Sequence, residues 1–479
     1  MTLHNYQTEH IDQVLDAFKT QRSIMLQMPT GTGKTHVFCE IAKHFYKNHK
    51  GRVLVLAHRN ELIHQIKDRM NRFGLQAGII KSGHITEENR QIQIASVQTL
   101  CRRDKVIFLK HISLIIVDEA HHTPSNTYVA ILNTYQKENT KLLGVTATPI
   151  RLDGKGFDKI FDSLISSYPF KWFVENSYLS PIKHLASDII KLENISVVKN
   201  REGYKEYDEK QTEKYYLNKT VMADIIDSYI KFGNNKKSVV FAVTIKHAEE
   251  ISQRFKEAGY KSTVISSLTK PTERIKSVEE FKKGNIQILV NVDIFSEGFD
   301  CPDIEVVQIV RPTKSLVKYL QMVGRVTRIF KGKRYALILD NACLWQDHGL
   351  VTNERVWSLK GCTSQEHDFS ELHFGDGTSG NDAYKRKLKE LFNIEMIEVD
   401  KVGIESNAVF TKHRLISVRS EFKGTWKQLK TELNEMNIDI YEHLQGKSTD
   451  PDKKFISEWL HKFIDRKYCS HKALKNIEL

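Results

Sequence analysis

Short apolar runs alternate with longer amphipathic stretches from Ser23 to about Ser180. The runs Ser23–Gln27, Val53–Ala57, Leu114–Val117 and Leu142–Thr146 are rich in Val, Ile and Leu and nearly free of charge. That is the pattern of strands buried on both faces. Thr35–Lys47 and Glu61–Phe73, lying between such runs, read as helices. Alternation of this kind predicts a parallel sheet covered by helices on both sides. A polar stretch from Lys199 to Lys214 interrupts the pattern. It then resumes with Val239–Val243, Ile286–Val290, Val306–Val310 and Tyr335–Leu339, which predict a second sheet. The pattern stops after about Gly361, and Gly375–Asn381 has the composition of a flexible linker. The expected class is therefore α/β, with two tandem parallel-sheet domains at 1–185 and 216–360 and a linker or excursion at 186–215. A flexible linker at 361–383 and a small, mostly helical accessory domain at 384–479 complete the expected order.

Composition narrows the class. A chain of 479 residues exceeds one domain of ordinary size. It has no apolar run long enough to span a bilayer and no basic-then-apolar start around Met1–Asn5, so cytoplasmic placement is expected, nucleoid-associated in a bacterium, or the nucleus in a eukaryote. Six scattered cysteines without a CxxC pair suit reduced thiols better than a disulfide framework. A net charge of +13 favours a polyanionic partner, because Lys and Arg displace counterions from phosphate backbones.

The sharpest chemical signal is Met28-Pro29-Thr30-Gly31-Thr32-Gly33-Lys34-Thr35, set between a predicted strand and a predicted helix. Glycines let backbone N–H groups wrap a phosphate, and the helix N-terminus adds positive potential. Lys34 can reach β- and γ-phosphates, and the Thr35 hydroxyl can ligate Mg2+. Met28 stands where the motif usually has its first glycine. Asp118-Glu119-Ala120-His121 ends the apolar run Leu114–Val117. Asp118 there suits Mg2+, and Glu119 suits the orientation and deprotonation of an attacking water.

With these two segments in place, the first 350 or so residues resemble a superfamily 2 helicase of the DEAH type. Tyr6-Gln7 resembles the motif that reads adenine, Leu56–Leu62 motif Ia, and Ser96–Leu100 motif Ib. Thr146-Ala147-Thr148-Pro149 matches motif III, and Val240–Val243 resembles motif IV. Asp293 with Ser296–Asp300 resembles motif V, and Gln321–Arg328 matches motif VI. Within the superfamily the chain resembles RadD-like and phage- or restriction-type helicases, through Thr146–Gly154, Asp340-Asn341-Ala342 and His348-Gly349. RadD-like proteins carry a cysteine-rich zinc element after the motor; Cys343, Cys362, His348 and His367 lie in that region without paired spacing, and unrelated core or loop residues are the expected reading.

The resemblance implies two RecA-like lobes with ATP and Mg2+ between them. Lobe one would contribute Tyr6, Gln7, the loop Pro29–Thr35, Asp118 and Glu119; lobe two would contribute Gly298, Asp300, Gln321, Arg325 and Arg328. Arg325 and Arg328 are expected one helical turn apart, with Arg328 as the arginine finger and Arg325 as a γ-phosphate sensor. Thr146 and Thr148 would relay the state of the cleft. His58, Arg59, Ser96, Gln98, Thr99, Thr244 and Asn291 would contact nucleic acid, mostly through its backbone. His122 has no expected role beyond packing or a hydrogen bond. The implied activity is ATP-driven movement along DNA, single-stranded or forked, with no membrane partner. A nuclease or a repair or replication factor is the possible protein partner, through the C-terminal domain. The alternatives are a translocase subunit of a restriction or phage-defence complex and an ATP-gated binding switch.

Overall fold

The computed structural model describes residues 3–58, 60–82, 87, 89–103, 109–151, 156–187, 190, 192–199, 204–294, 301–360 and 396–398. In it the apolar runs build two separate sheets, both within the compact unit Met1–Ile397. The first comprises β1 (Ser23–Gln27), β2 (Arg52–Ala57), β3 (Ala77–Ile80), β4 (Ile92–Ser96), β5 (Ile112–Asp118), β6 (Lys141–Thr146) and β7 (Ser163–Ser166). Its strands lie side by side as β3-β4-β2-β5-β6-β1-β7, and every pair is parallel.

Alternation within each strand explains why both faces are covered. Ile24, Leu26, Val53, Val55, Leu114 and Ile116 join one apolar cluster. Their neighbours Met25, Leu54, Leu56, Ile115 and Val117 join another on the opposite face. Each fully buried aliphatic side chain contributes about 1.5–3 kcal/mol, so short strands of this kind hold a sheet together without polar help.

The second sheet comprises β8 (Ile182–Ser187), β11 (Ser238–Phe241), β12 (Ser262–Ile265), β13 (Ile288–Asn291), β14 (Val306–Ile309) and β15 (Ala336–Asp340). Its order is β12-β13-β11-β14-β15-β8. The chain thus joins this sheet at Ile182, where β8 pairs in parallel with β15. The stretch 186–215, expected as a linker, carries the antiparallel hairpin β9 (Val197–Lys199) and β10 (Lys205–Tyr207). That hairpin is fastened to this lobe: the Glu206 carboxylate accepts from Thr313 Oγ1 at 2.7 Å and from the Lys314 N–H at 2.8 Å. The Tyr207 hydroxyl donates to Asp347 at 2.9 Å. The accessory region expected at 384–479 lies, but for 396–398, outside the described residues.

After β15 the chain turns back. The segment 349–360 leaves the second lobe, and the Phe157 N–H of the first donates to the Leu359 carbonyl at 2.6 Å. Leu359 packs against the first lobe's apolar cluster. Within the segment the Arg355 guanidinium donates to the carbonyls of His348, Leu350, Val351 and Asn353, which fixes its path. Among the described residues no helix is long and apolar enough to cross a membrane.

Candidate active site

In parallel α/β sheets, ligands collect at the carboxyl ends of the strands. Here the strand order β4-β2-β5-β6-β1 sets Ser96, His58, Asp118, Thr146 and the Met28–Thr35 loop along one edge. Gly31 and Gly33 adopt φ of 92° and 84°, a left-handed backbone that bends the loop sharply before the helix. Gly33 caps the helix Lys34–Asn48 without a side-chain hydrogen bond, leaving the N-terminal N–H groups to an anion. Met28 is fully buried in the core beneath, which accounts for an apolar residue where the motif usually has glycine. The Tyr6 hydroxyl and Gln7 Nε2 both donate to the Thr32 carbonyl, at 2.8 and 3.1 Å. Tyr6 also packs edge-on against Tyr178 and Phe173, and Tyr168 stacks on Trp172 at 4.1 Å. This aromatic wall beside Gln7 was absent from the sequence expectation; its only signal is the aromatic density of 168–178.

Asp118 ends β5 and is buried; its Oδ1 accepts from the Glu119 N–H at 3.1 Å. Glu119 has φ 52°, ψ 56°, a left-handed conformation that turns its carboxylate away from the strand direction. His121 Nδ1 lies 3.0 Å from Thr146 Oγ1 and 3.5 Å from the Glu119 carboxylate. Thr146 Oγ1 in turn accepts from the Thr148 N–H at 3.1 Å. Thr148 is buried, and its own hydroxyl makes no hydrogen bond.

Gln321 is buried on the helix Leu316–Val323. That helix ends at Gly324, so Arg325 and Arg328 are not one helical turn apart as expected: Arg325 lies in a turn and Arg328 in a β-bridge with Leu179. Past Gly324 the chain tightens, with the Arg325 and Val326 N–H groups donating three residues back, to the Met322 and Val323 carbonyls. A Cβ on Gly324 would sit 2.5 Å from Thr30 Cβ, so glycine lets this helix end lie against the phosphate loop. Ser180 holds the bridge by donating its N–H to the Thr327 carbonyl and its hydroxyl to the Arg328 carbonyl, at 2.8 and 2.9 Å. The Arg328 stem nonetheless lies beside Gly31 of the loop. Burial pulls the Lys34 pKa down, Glu119 and Asp118 pull it back up, and Arg325 and Arg328 push it down again. Gly324→Ala is accordingly expected to wedge the lobes apart and reduce ATP turnover about tenfold or more while leaving the fold intact. Turnover assays beside a thermal melt check this.

The remaining expected contacts divide. His58 is half-buried, and its carbonyl accepts from Gln98 Nε2 at 3.2 Å; Gln98 is exposed. Ser96 is buried with its hydroxyl on Gln98, and the Thr99 hydroxyl accepts from the Ser82 N–H. Thr244 caps the helix Ile245–Glu257 and donates to Glu213. Asn291 is corrected: it is fully buried and donates to the Val240 carbonyl, tying β13 to β11 instead of facing a ligand. Arg59, Gly298 and Asp300 lie outside the described residues. A cleft of about 600 Å3 opens between the lobes, lined by His58, His121 and His122 on one side and Asp293, Arg311 and Gln321 on the other. Cys343 donates its thiol to the Ser187 carbonyl, and His348 bonds the Thr313 carbonyl, so both serve the second lobe's interior. Cys362 and His367 lie outside the described residues.

Residues 1–151 match the family "Type III restriction enzyme, res subunit", and residues 221–330 match "Helicase conserved C-terminal domain". A 51.5 kDa protein of Lactococcus phage (isolate 7-9) is 33% identical, covering 70% of this chain and 68% of its own. The chain belongs to the superfamily 2 helicases. A Saccharomyces cerevisiae protein provisionally named as an ATP-dependent helicase, IRC3, is 29% identical over 71% of this chain. In fold, a fragment of a provisionally assigned HsdR subunit of a type I restriction enzyme from Vibrio vulnificus YJ016 superposes with a TM-score of 0.55. That pair shares 22% identity over 71% of this chain. The chain spans 51% of the yeast relative and 65% of the Vibrio fragment. The two parallel-sheet lobes are thus RecA-like helicase lobes, and membership of this superfamily implies an ATP-hydrolysing enzyme of the helicase or translocase kind.

Proposed function

We propose that this superfamily 2 protein hydrolyses ATP to drive its own movement along DNA. One observation carries the reading: the second lobe meets the phosphate loop directly, with Gly324 against Thr30 and the Arg328 stem beside Gly31. A site completed by both lobes makes nucleotide binding a closing event and its hydrolysis an opening one. The donors Thr35 and Asp118 are hard oxygens, which suit Mg2+. That ion, when bound with the nucleotide, neutralises phosphate charge. Glu119 takes a proton from the attacking water as its oxygen bonds to the γ-phosphorus and the bond to the β-phosphate oxygen breaks. Arg328 meets the charge that builds on the transferring group, and Arg325 reads the γ-phosphate. Gln7 reads the adenine, and the surface around His58 and Gln98 grips the backbone.

DNA is favoured over RNA by the restriction-enzyme family model that the first lobe matches. The same match supports a second reading, in which this chain is the motor of a larger assembly with a partner nuclease. The deciding experiment is ATP turnover by purified protein, alone and with single-stranded, duplex or forked DNA and with RNA. Stimulation by one DNA form is expected. No turnover from folded protein would overturn the autonomous-motor reading; turnover restored by a co-purifying nuclease would favour the second.

A further inference from the structure

His122 is a residue to which the motor reading gives no task. Its ring stacks on that of His58, with centroids 4.6 Å apart and planes 20° from parallel. On its other side it meets His121 at 4.2 Å, with planes inclined by 43°. These contacts join residues distant in sequence because β2 lies beside β5, which delivers His58 and the Ala120–His122 turn to adjacent points of one edge.

The stack sits in an unbroken line. The Ser96 hydroxyl donates to Gln98 Oε1 at 3.0 Å, and Gln98 Nε2 donates to the His58 carbonyl. His58 touches His122, His122 touches His121, and His121 reaches both Thr146 Oγ1 and the Glu119 carboxylate. One end of the line is the exposed Gln98, on the face assigned to nucleic acid; the other is the group assigned as general base. Three rings in contact have few ways to yield. All three rings border the cleft, but His58 and His122 meet nearly face to face, so movement of the His58 backbone along the stack presses on His122 and through it on His121.

We infer that His122 is a positioning residue that transmits nucleic-acid occupancy from the His58 loop to Glu119 within the first lobe. This rests on the motor reading and adds a second route of activation beside lobe closure. His122 touches neither nucleotide nor nucleic acid in this scheme; its ring serves as a spacer, so shape matters and the imidazole nitrogens do not.

The test uses the full chain with oligothymidylate, duplex DNA and no nucleic acid, reading kcat, KM for ATP and DNA affinity. His122→Ala is expected to cut DNA-stimulated kcat about tenfold while unstimulated turnover, KM and DNA affinity stay within about twofold. His122→Phe, which keeps a flat ring, is expected to restore stimulation. At saturating DNA, His58→Ala combined with His122→Ala should be no worse than the poorer single variant, as for two members of one line. Should His122→Ala lose its fold, His122→Leu fills similar volume without a ring and carries the same expectation. Equal losses of stimulated and unstimulated turnover, or strictly additive losses in the double variant, would overturn the inference. So would a His122→Phe variant as poor as His122→Ala. A wild-type enzyme that no nucleic acid stimulates would overturn the motor reading itself, and the relay with it.

Discussion

Glu119→Gln is expected to lower ATP turnover about a hundred- to ten-thousand-fold while leaving nucleotide binding close to normal. The substitution keeps size and hydrogen-bonding reach and removes the negative charge together with the capacity to take a proton. Its surroundings explain why so much depends on that capacity. The side chain is 14% exposed, so few waters can replace it as a base. Its left-handed backbone, with Asp118 bracing the N–H, fixes where the carboxylate points. His121, held by Thr146, touches it from the side. Steady-state phosphate release together with fluorescent-nucleotide binding checks the expectation. Turnover at the wild-type rate would move the base elsewhere; lost nucleotide binding would mean that the residue shapes the pocket instead.

Arg328→Ala should be comparably severe, at about a thousandfold or more in kcat, with KM for ATP little changed. Such a residue acts where charge develops and contributes little to ground-state binding. Arg328 is well placed for this: its stem lies near Gly31 of the phosphate loop, and its backbone is bridged to Leu179 where the chain passes between the lobes. Arg328→Lys should rescue little, because an ammonium cannot present the planar fork of a guanidinium. Arg325→Ala should raise KM more than it lowers kcat. The reverse pattern, with the kcat loss falling on Arg325, would exchange the two roles, and unchanged kinetics in both would remove the second lobe from the chemistry.

The parts legible in the sequence are those whose chemistry demands neighbours in the chain. A phosphate loop needs its glycines, lysine and threonine within one turn between strand and helix, so Gly31–Thr35 declare themselves. Asp118 and Glu119 do so for the same reason, at the end of a run that can only be a buried strand. Features that depend on strand order were hidden: nothing near His58 or His122 announces the other until β2 is known to lie beside β5. The helical spacing expected of Arg325 and Arg328 failed because the helix ends at Gly324 and Arg328 pairs with the distant Leu179, a contact that no local pattern encodes. Asn291 has the polarity of a surface contact, and only the sheet reveals it buried under β11. The pairing of 197–199 with 205–207 escaped because Val197 and Val198 are exposed and too short a run beside the polar stretch to read as a strand.

The segment 349–360 has a mechanical consequence. Among the described residues the two lobes are joined by chain in two places, at 179–181 and again where Leu359 meets Phe157. A body held at one point is free to swivel in any direction. Held at two, it keeps chiefly rotation about the line between them. On the proposed motor reading, opening and closing of the cleft would then follow one coordinate, and each stroke would retrace the path of the last.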